Sequence, residues 1–275
     1  MVHIDTSIFE KQSQKFMAYV HAKDQNSNPL EFRTGNGVLA REEGYKSHIP
    51  EKVRSVLAID EWDESWIGSG KIKERICKAI DMSANLINFY AKTDFKNRFG
   101  DERSSYNAER AIYEIYKGTD SKAAFESAIS NFGAKYPTIA YLFFIKDEDK
   151  YLPTSPAKFD VAFKELGIDF SMSAKCSWDN YCSFTEIIHE IGILMPKYMN
   201  ISHEVRLLDA HSFVWILAEP VYMNFMPVDN GINAPLEPKN IEYGSDGKVR
   251  FQCPRCDYVF IKAKRCPVCG QLVRG

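Results

Sequence analysis

The sequence predicts a mainly α chain: a helical body followed by a small C-terminal β segment built around four cysteines. Three observations predict it. Apolar residues recur at helical spacing through much of the first 228 residues. Ser, Thr, Pro and Gly stand where helices begin and end. Near the C-terminus the helical period gives way to alternation between two Cys-x-x-Cys pairs.

The first clear helix carries Ile72, Ile76, Ile80, Ala84 and Ile87 on one face. Ala108, Ala111, Ile112 and Ile115 follow an expected cap at Ser104-Ser105. Phe125, Ala128, Ile129 and Phe132 follow Thr119 and stop at Gly133. Ser155 is placed to cap the next helix, Pro156 to occupy its first position and Gly167 to end it. Two more helices are expected, from about Ser183 to Tyr198 and from about Ala210 to Glu219. The apolar run Ile139 to Ile145 fits a strand or a buried helix equally, because it shows no period. A segment rich in Gly, Pro and Asn, 229–248, reads as a linker. The expected organisation is a body over 1–228, with a weaker break near 92–105, that linker, and a terminal unit over 249–275.

Of the 275 residues, 45% are hydrophobic and 13% aromatic, enough to bury a sizeable core. No window is apolar enough to span a bilayer, so no membrane association is expected. The opening MVHIDTSIFEKQSQKF has no basic stretch before an apolar run, so no secretory signal is expected and the location expected is cytoplasmic. Charge is unevenly placed. Seven Lys and Arg face two Asp between 246 and 275, a net +5; with a formal total of −2, the residues before them carry −7. A basic tail on an acidic body suits a polyanionic partner, or docks on its own body.

The four clustered cysteines, Cys253-Pro-Arg-Cys256 and Cys266-Pro-Val-Cys269, have metal-ligand spacing. Two thiolates on each tight turn complete a tetrahedral shell, and Zn2+ is the ion that shell suits, with iron as the alternative. Four cysteines leave no open position for water, so the zinc is expected to be structural. Between the pairs, DYVFIKAKR alternates in a way that suggests a short hairpin. This segment resembles a short zinc ribbon of the rubredoxin-like kind. Some HNH-type nucleases also pair such turns, but no His or Asn lies between these. Arg255, Lys262, Lys264 and Arg265 suit phosphates, and Tyr258 and Phe260 suit stacking on bases. The remaining cysteines, Cys77, Cys176 and Cys182, fit no such spacing and read as thiols.

The body offers weaker candidates. Gly68-Ser69-Gly70-Lys71 precedes a helix, where backbone N–H groups and a lysine suit a phosphate contact, although the spacing of a phosphate-binding loop is missing. Asp60, Glu61, Asp63 and Glu64 surround Trp62; they read as a solvated acidic turn or as carboxylates for a magnesium ion. His189-Glu190 lacks the second histidine of a zinc protease motif, since Ile193 stands there. Asp209 and His211 fit a helix start, or a catalytic histidine. The aromatics between Tyr136 and Trp215 read as core, or as a base-stacking pocket.

The stretches Tyr151-Leu152-Pro153, Ser155-Pro156, Phe159-Asp160, Phe163 and Leu166-Gly167, then Cys176 to Tyr181, then Leu207 to Trp215, together resemble an accessory module of prokaryotic restriction-type, HNH-nuclease-associated proteins. The resemblance implies a DNA-related, defence-type setting; no HNH segment accompanies it here. The expected function is nucleic-acid binding or recognition, with DNA foremost. A metal-dependent phosphodiesterase and a protein–protein scaffold are the alternatives, so enzyme status stays open, and a partner protein goes with the scaffold reading.

Overall fold

The computed structural model describes residues 4–35, 37–225, 236–254, 257–268 and 272–274. Within them the chain is mainly α, with one small antiparallel sheet at its C-terminal end.

The body opens with α1 (Thr6–Lys23), α2 (Val38–Glu43) and α3 (Tyr45–Leu57). Asp5 starts α1 by accepting the Ser7 and Ile8 amides. Next come α4 (Lys71–Asp81), α5 (Phe89–Asn97), α6 (Glu102–Lys117) and α7 (Ser121–Phe132). The caps differ from those expected: Asp101, not Ser104, caps α6, and Asp120, not Thr119, caps α7. A carboxylate in each case accepts the amide three residues on. Gly133 closes α7 at φ +80°, where a side chain would be strained.

The unassigned apolar run is α8 (Tyr136–Lys146), with every residue from Thr138 to Ile145 buried. A helix enclosed on all sides has no polar stripe, which is why its sequence carries no period. Then follow α9 (Pro156–Glu165), α10 (Trp178–Tyr198), α11 (Leu207–Leu217) and the single turn α12 (Pro220–Met223). Ser155 sits at the N-cap of α9 but makes no side-chain capping bond, whereas Pro156 and Gly167 stand as expected. Asp209 acts in the first turn of α11, accepting the Arg206 amide at 2.9 Å.

One apolar core runs through the body from Phe9 to Tyr222. The weaker break expected near 92–105 does not divide it: Phe95 and Phe99 pack on Phe132 with ring centroids 4.7 and 6.3 Å apart. The aromatics between Tyr136 and Trp215 join this core, with Phe125, Tyr136, Phe143, Tyr151, Trp178 and Tyr181 in mutual ring contact. Among the described residues no helix is long and apolar enough to cross a membrane.

The sheet has strand order β1 (Asn240–Tyr243), β2 (Val249–Gln252), β3 (Val259–Ile261). Two expectations change here. The segment expected as linker contains β1, so the terminal unit begins by Leu236, which bridges Val273. And β3 pairs not across the interval between the cysteine pairs but with β2, Phe251 opposite Phe260.

Candidate functional site

Cys253 and Cys266 each belong to a hairpin loop. Cys253 follows β2 directly, and its N–H donates to the Tyr258 carbonyl at 2.8 Å, closing the first loop. The Asp257 amide donates back to the Cys253 carbonyl at 3.1 Å. Arg265 bridges Leu272 in antiparallel fashion, and the Val273 amide donates to Lys264 at 2.9 Å, closing the second loop around Cys266. Cys253 and Cys266 are buried in one cluster with Phe251, Tyr258, Phe260 and Val273. Cys256, Cys269 and Arg255 lie outside the described residues. Among the described residues no three His, Cys, Asp or Glu side chains group as metal ligands. The first thiol of each pair does enter a shared apolar core, and two closed loops with soft donors fit a tetrahedral thiolate site.

The basic and aromatic residues of the terminal unit separate. Lys262, Lys264 and Arg265 are exposed. Tyr258 and Phe260, expected to stack on bases, are 5% and 7% exposed and form the core of the unit. The alternation was legible; which face turned inward was not. Tyr258 also reaches the body: its hydroxyl donates to Met17 Sδ on α1 at 3.2 Å, and its ring meets His21 edge-on at 5.5 Å. Three other cations of the unit are satisfied internally, as Arg250–Asp246, Lys239–Asp257 and Arg274–Glu237. Among the described residues Lys262 and Lys264 make no ion pair.

The glycine turn before α4 takes a different role from the one expected. Gly68 and Gly70 adopt positive φ and turn their amides inward. The Glu109 carboxylate of α6, 0% exposed, accepts from the Gly68, Gly70 and Lys73 amides at 2.6, 3.3 and 2.8 Å. An internal anion thus fills the position a phosphate was expected to take. Ser69 donates to the Trp66 carbonyl, and Lys71 lies over the Trp66 ring at 5.1 Å. Asp60, Glu61, Asp63 and Glu64 are exposed on two short turns, and the Asp63 side chain accepts the Ser65 amide.

The sequence matches no family model, and no curated protein or solved structure is significantly similar to it.

Asp209 and His211, in the first turns of α11, are buried. One ring nitrogen of His211 pairs with the Pro153 carbonyl at 2.9 Å and Nδ1 has no hydrogen-bond partner among the described residues. Burial, with the Lys46 and Lys158 cations nearby, pushes its pKa well below the ordinary histidine value. Lys46 is 1% exposed, paired with Glu43, and its ammonium faces Trp215 at 4.9 Å. Lys158 lies closer over that ring, at 3.7 Å, and pairs with Glu219. Asp209 accepts from Arg33 Nη2 at 2.8 Å, tying α11 to the segment before α2. These groups join helices rather than line an opening. His189 is exposed, at a shallow depression of about 300 Å³ shared with Asp149, Glu186 and Glu190. The Cys176 thiol is pushed up to about 11, by burial and then by Glu126, which disfavours the thiolate.

Proposed function

We propose that the chain is a nucleic-acid-binding protein whose C-terminal ribbon presents cations to a phosphate backbone. One observation carries this reading. In a unit whose other described basic residues are mostly tied to its own carboxylates, Lys262 and Lys264 stand exposed and unpaired beside Arg265. Cations left free in this way bind polyanions by releasing condensed counterions. In the proposal Cys253, Cys256, Cys266 and Cys269 hold a Zn2+ ion. That ion supplies shape and no catalysis, since four thiolates fill its shell. The resemblance of the middle region to restriction-associated modules favours DNA as the polymer and a prokaryotic defence setting. Burial of His211, Asp209 and Lys46 weighs against the phosphodiesterase alternative.

Fluorescence anisotropy tests the reading. The zinc-loaded chain is titrated against labelled single-stranded and duplex DNA and single-stranded RNA at low salt. The expected result is salt-sensitive binding that Lys262→Glu with Lys264→Glu weakens by about ten-fold or more. No detectable binding to any of the three, by a folded chain holding zinc, would overturn it.

A further inference from the structure

The ribbon also exposes an aromatic residue that its sequence hid in a segment expected as linker. Tyr243 ends β1 and is 82% exposed, among the most exposed aromatic side chains described. The strand register places it. Tyr243 pairs with Val249, and Ile241 with Phe251, so Tyr243, Ile241, Val249 and Phe251 share one face of the sheet. One step past the last β2–β3 pair, the Lys262 amide donates to the Val249 carbonyl at 2.7 Å. Tyr243, Val249 and Lys262 therefore form one row across the three strands. The Lys262 ammonium lies over the Phe251 ring at 5.6 Å, which puts it on that same face.

Position along the sheet separates this row from the body. Tyr258, at the cysteine-loop end of β2 and β3, meets α1. The Tyr243 row is at the opposite end, roughly 13 Å away by the rise of a strand over about four residues. Lys248 is exposed in the adjoining turn, whereas Asp246 of that turn is held by Arg250. The row thus joins an uncovered ring to cations that make no ion pair among the described residues.

We propose that Tyr243 is a stacking platform for an unpaired base of a single-stranded nucleic acid, with Lys262 and Lys248 holding the flanking phosphates. An open ring on a sheet face accepts any base, because every base has a π-face, but a base within a duplex cannot reach it. Charge complementarity sets the occupant: an apolar partner would leave both ammonium groups without counter-charge. This inference rests on the nucleic-acid reading above and adds strand form and a contact residue to it.

The test uses the full zinc-loaded chain with labelled oligo-dT, oligo-rU, an abasic strand of equal length and a duplex. Oligo-dT or oligo-rU binds more tightly than the abasic strand and the duplex. Tyr243→Ser weakens the base-bearing strand about ten-fold and changes the abasic strand less than about two-fold, within the range of single base–aromatic stacks. Tyr243→Phe restores binding, which separates loss of the ring from loss of fold. Lys262→Gln weakens every polymer and flattens the salt dependence. Equal affinity for abasic and base-bearing strands, or a Tyr243→Ser variant within two-fold of the parent chain, overturns the platform while leaving the cationic contact standing. No binding of any polymer removes both.

Discussion

The helical body and the terminal ribbon solve the same problem with unequal means. The body buries an apolar core drawn from every one of its major helices. Among its described residues the terminal unit buries Phe251, Tyr258, Phe260 and Val273 in one cluster with Cys253 and Cys266. Its strands hold four, four and three residues. Among the described residues a core of that size contributes little against the conformational entropy of ordering the chain, and the proposed Zn2+ would offset part of that cost. The body needs no such help, and spends its polar groups on joining helices instead. With the proposed zinc bound, the four cysteines would matter to the stability of one region and not of the other.

Metal removal makes the sharpest break. Chelation, or Cys253→Ser, is expected to unfold the ribbon and leave the helical signal of the body. Structural zinc in comparable small units contributes about 10–16 kcal/mol of binding free energy. Elemental analysis should give one zinc per chain, and backbone NMR should show loss of the β1–β3 resonances while those of the helices remain. Concerted loss of both regions would end the contrast.

The body is expected to be most sensitive at its buried charges. Lys46→Met leaves Glu43 buried without its cation and should cost about 3–5 kcal/mol in denaturant unfolding. Glu43→Leu with Lys46→Met should recover most of that loss, because a buried ion pair replaced by apolar groups is often neutral. A double variant as unstable as the single one would show that the ammonium's place over Trp215 matters more than the pair.

A smaller effect follows from His211. Its folded pKa lies below the unfolded value, so the unfolded chain takes up the proton first. That contribution is complete above about pH 6.5 and declines as pH falls, by at most about 1.4 kcal/mol per unit. His21, also lowered by burial, acts in the same sense at the ribbon joint. His211→Gln should flatten the stability profile between about pH 6.5 and 5. An unchanged profile would assign acid sensitivity to carboxylates such as Glu148, held low by Arg54.

How much of this was legible in sequence depended on whether the local pattern was one-sided. α4 and α6 show a buried stripe and an exposed one, so their period reads directly. Pro156 and Gly167 bracket α9 because each acts through its own backbone. α8 escaped because it is enclosed. Glu109 escaped for another reason: its three amide partners lie 36 to 41 positions away, and no local rule pairs them. In the ribbon, the cysteine spacing was plain and the alternation of 258–262 was plain. Burial of Tyr258 and exposure of Tyr243, which share one face of the sheet, depend on which end of that face meets α1, a tertiary fact absent from either segment alone. Tyr243 was further hidden because its neighbours Gly244, Asp246 and Gly247 mark a turn, and a turn-rich segment reads as linker before it reads as a strand end.

The contact of Tyr258 with Met17 and His21 has a geometric corollary. A ribbon on a free tether would sample many headings before meeting a long polymer. Held at α1, its outward row keeps a set bearing relative to the helices, and the orientational entropy is surrendered when the chain folds, ahead of any encounter. A strand lying along Tyr243 and Lys262 would then leave the sheet on a defined course past the acidic body, whose repulsion would steer it outward.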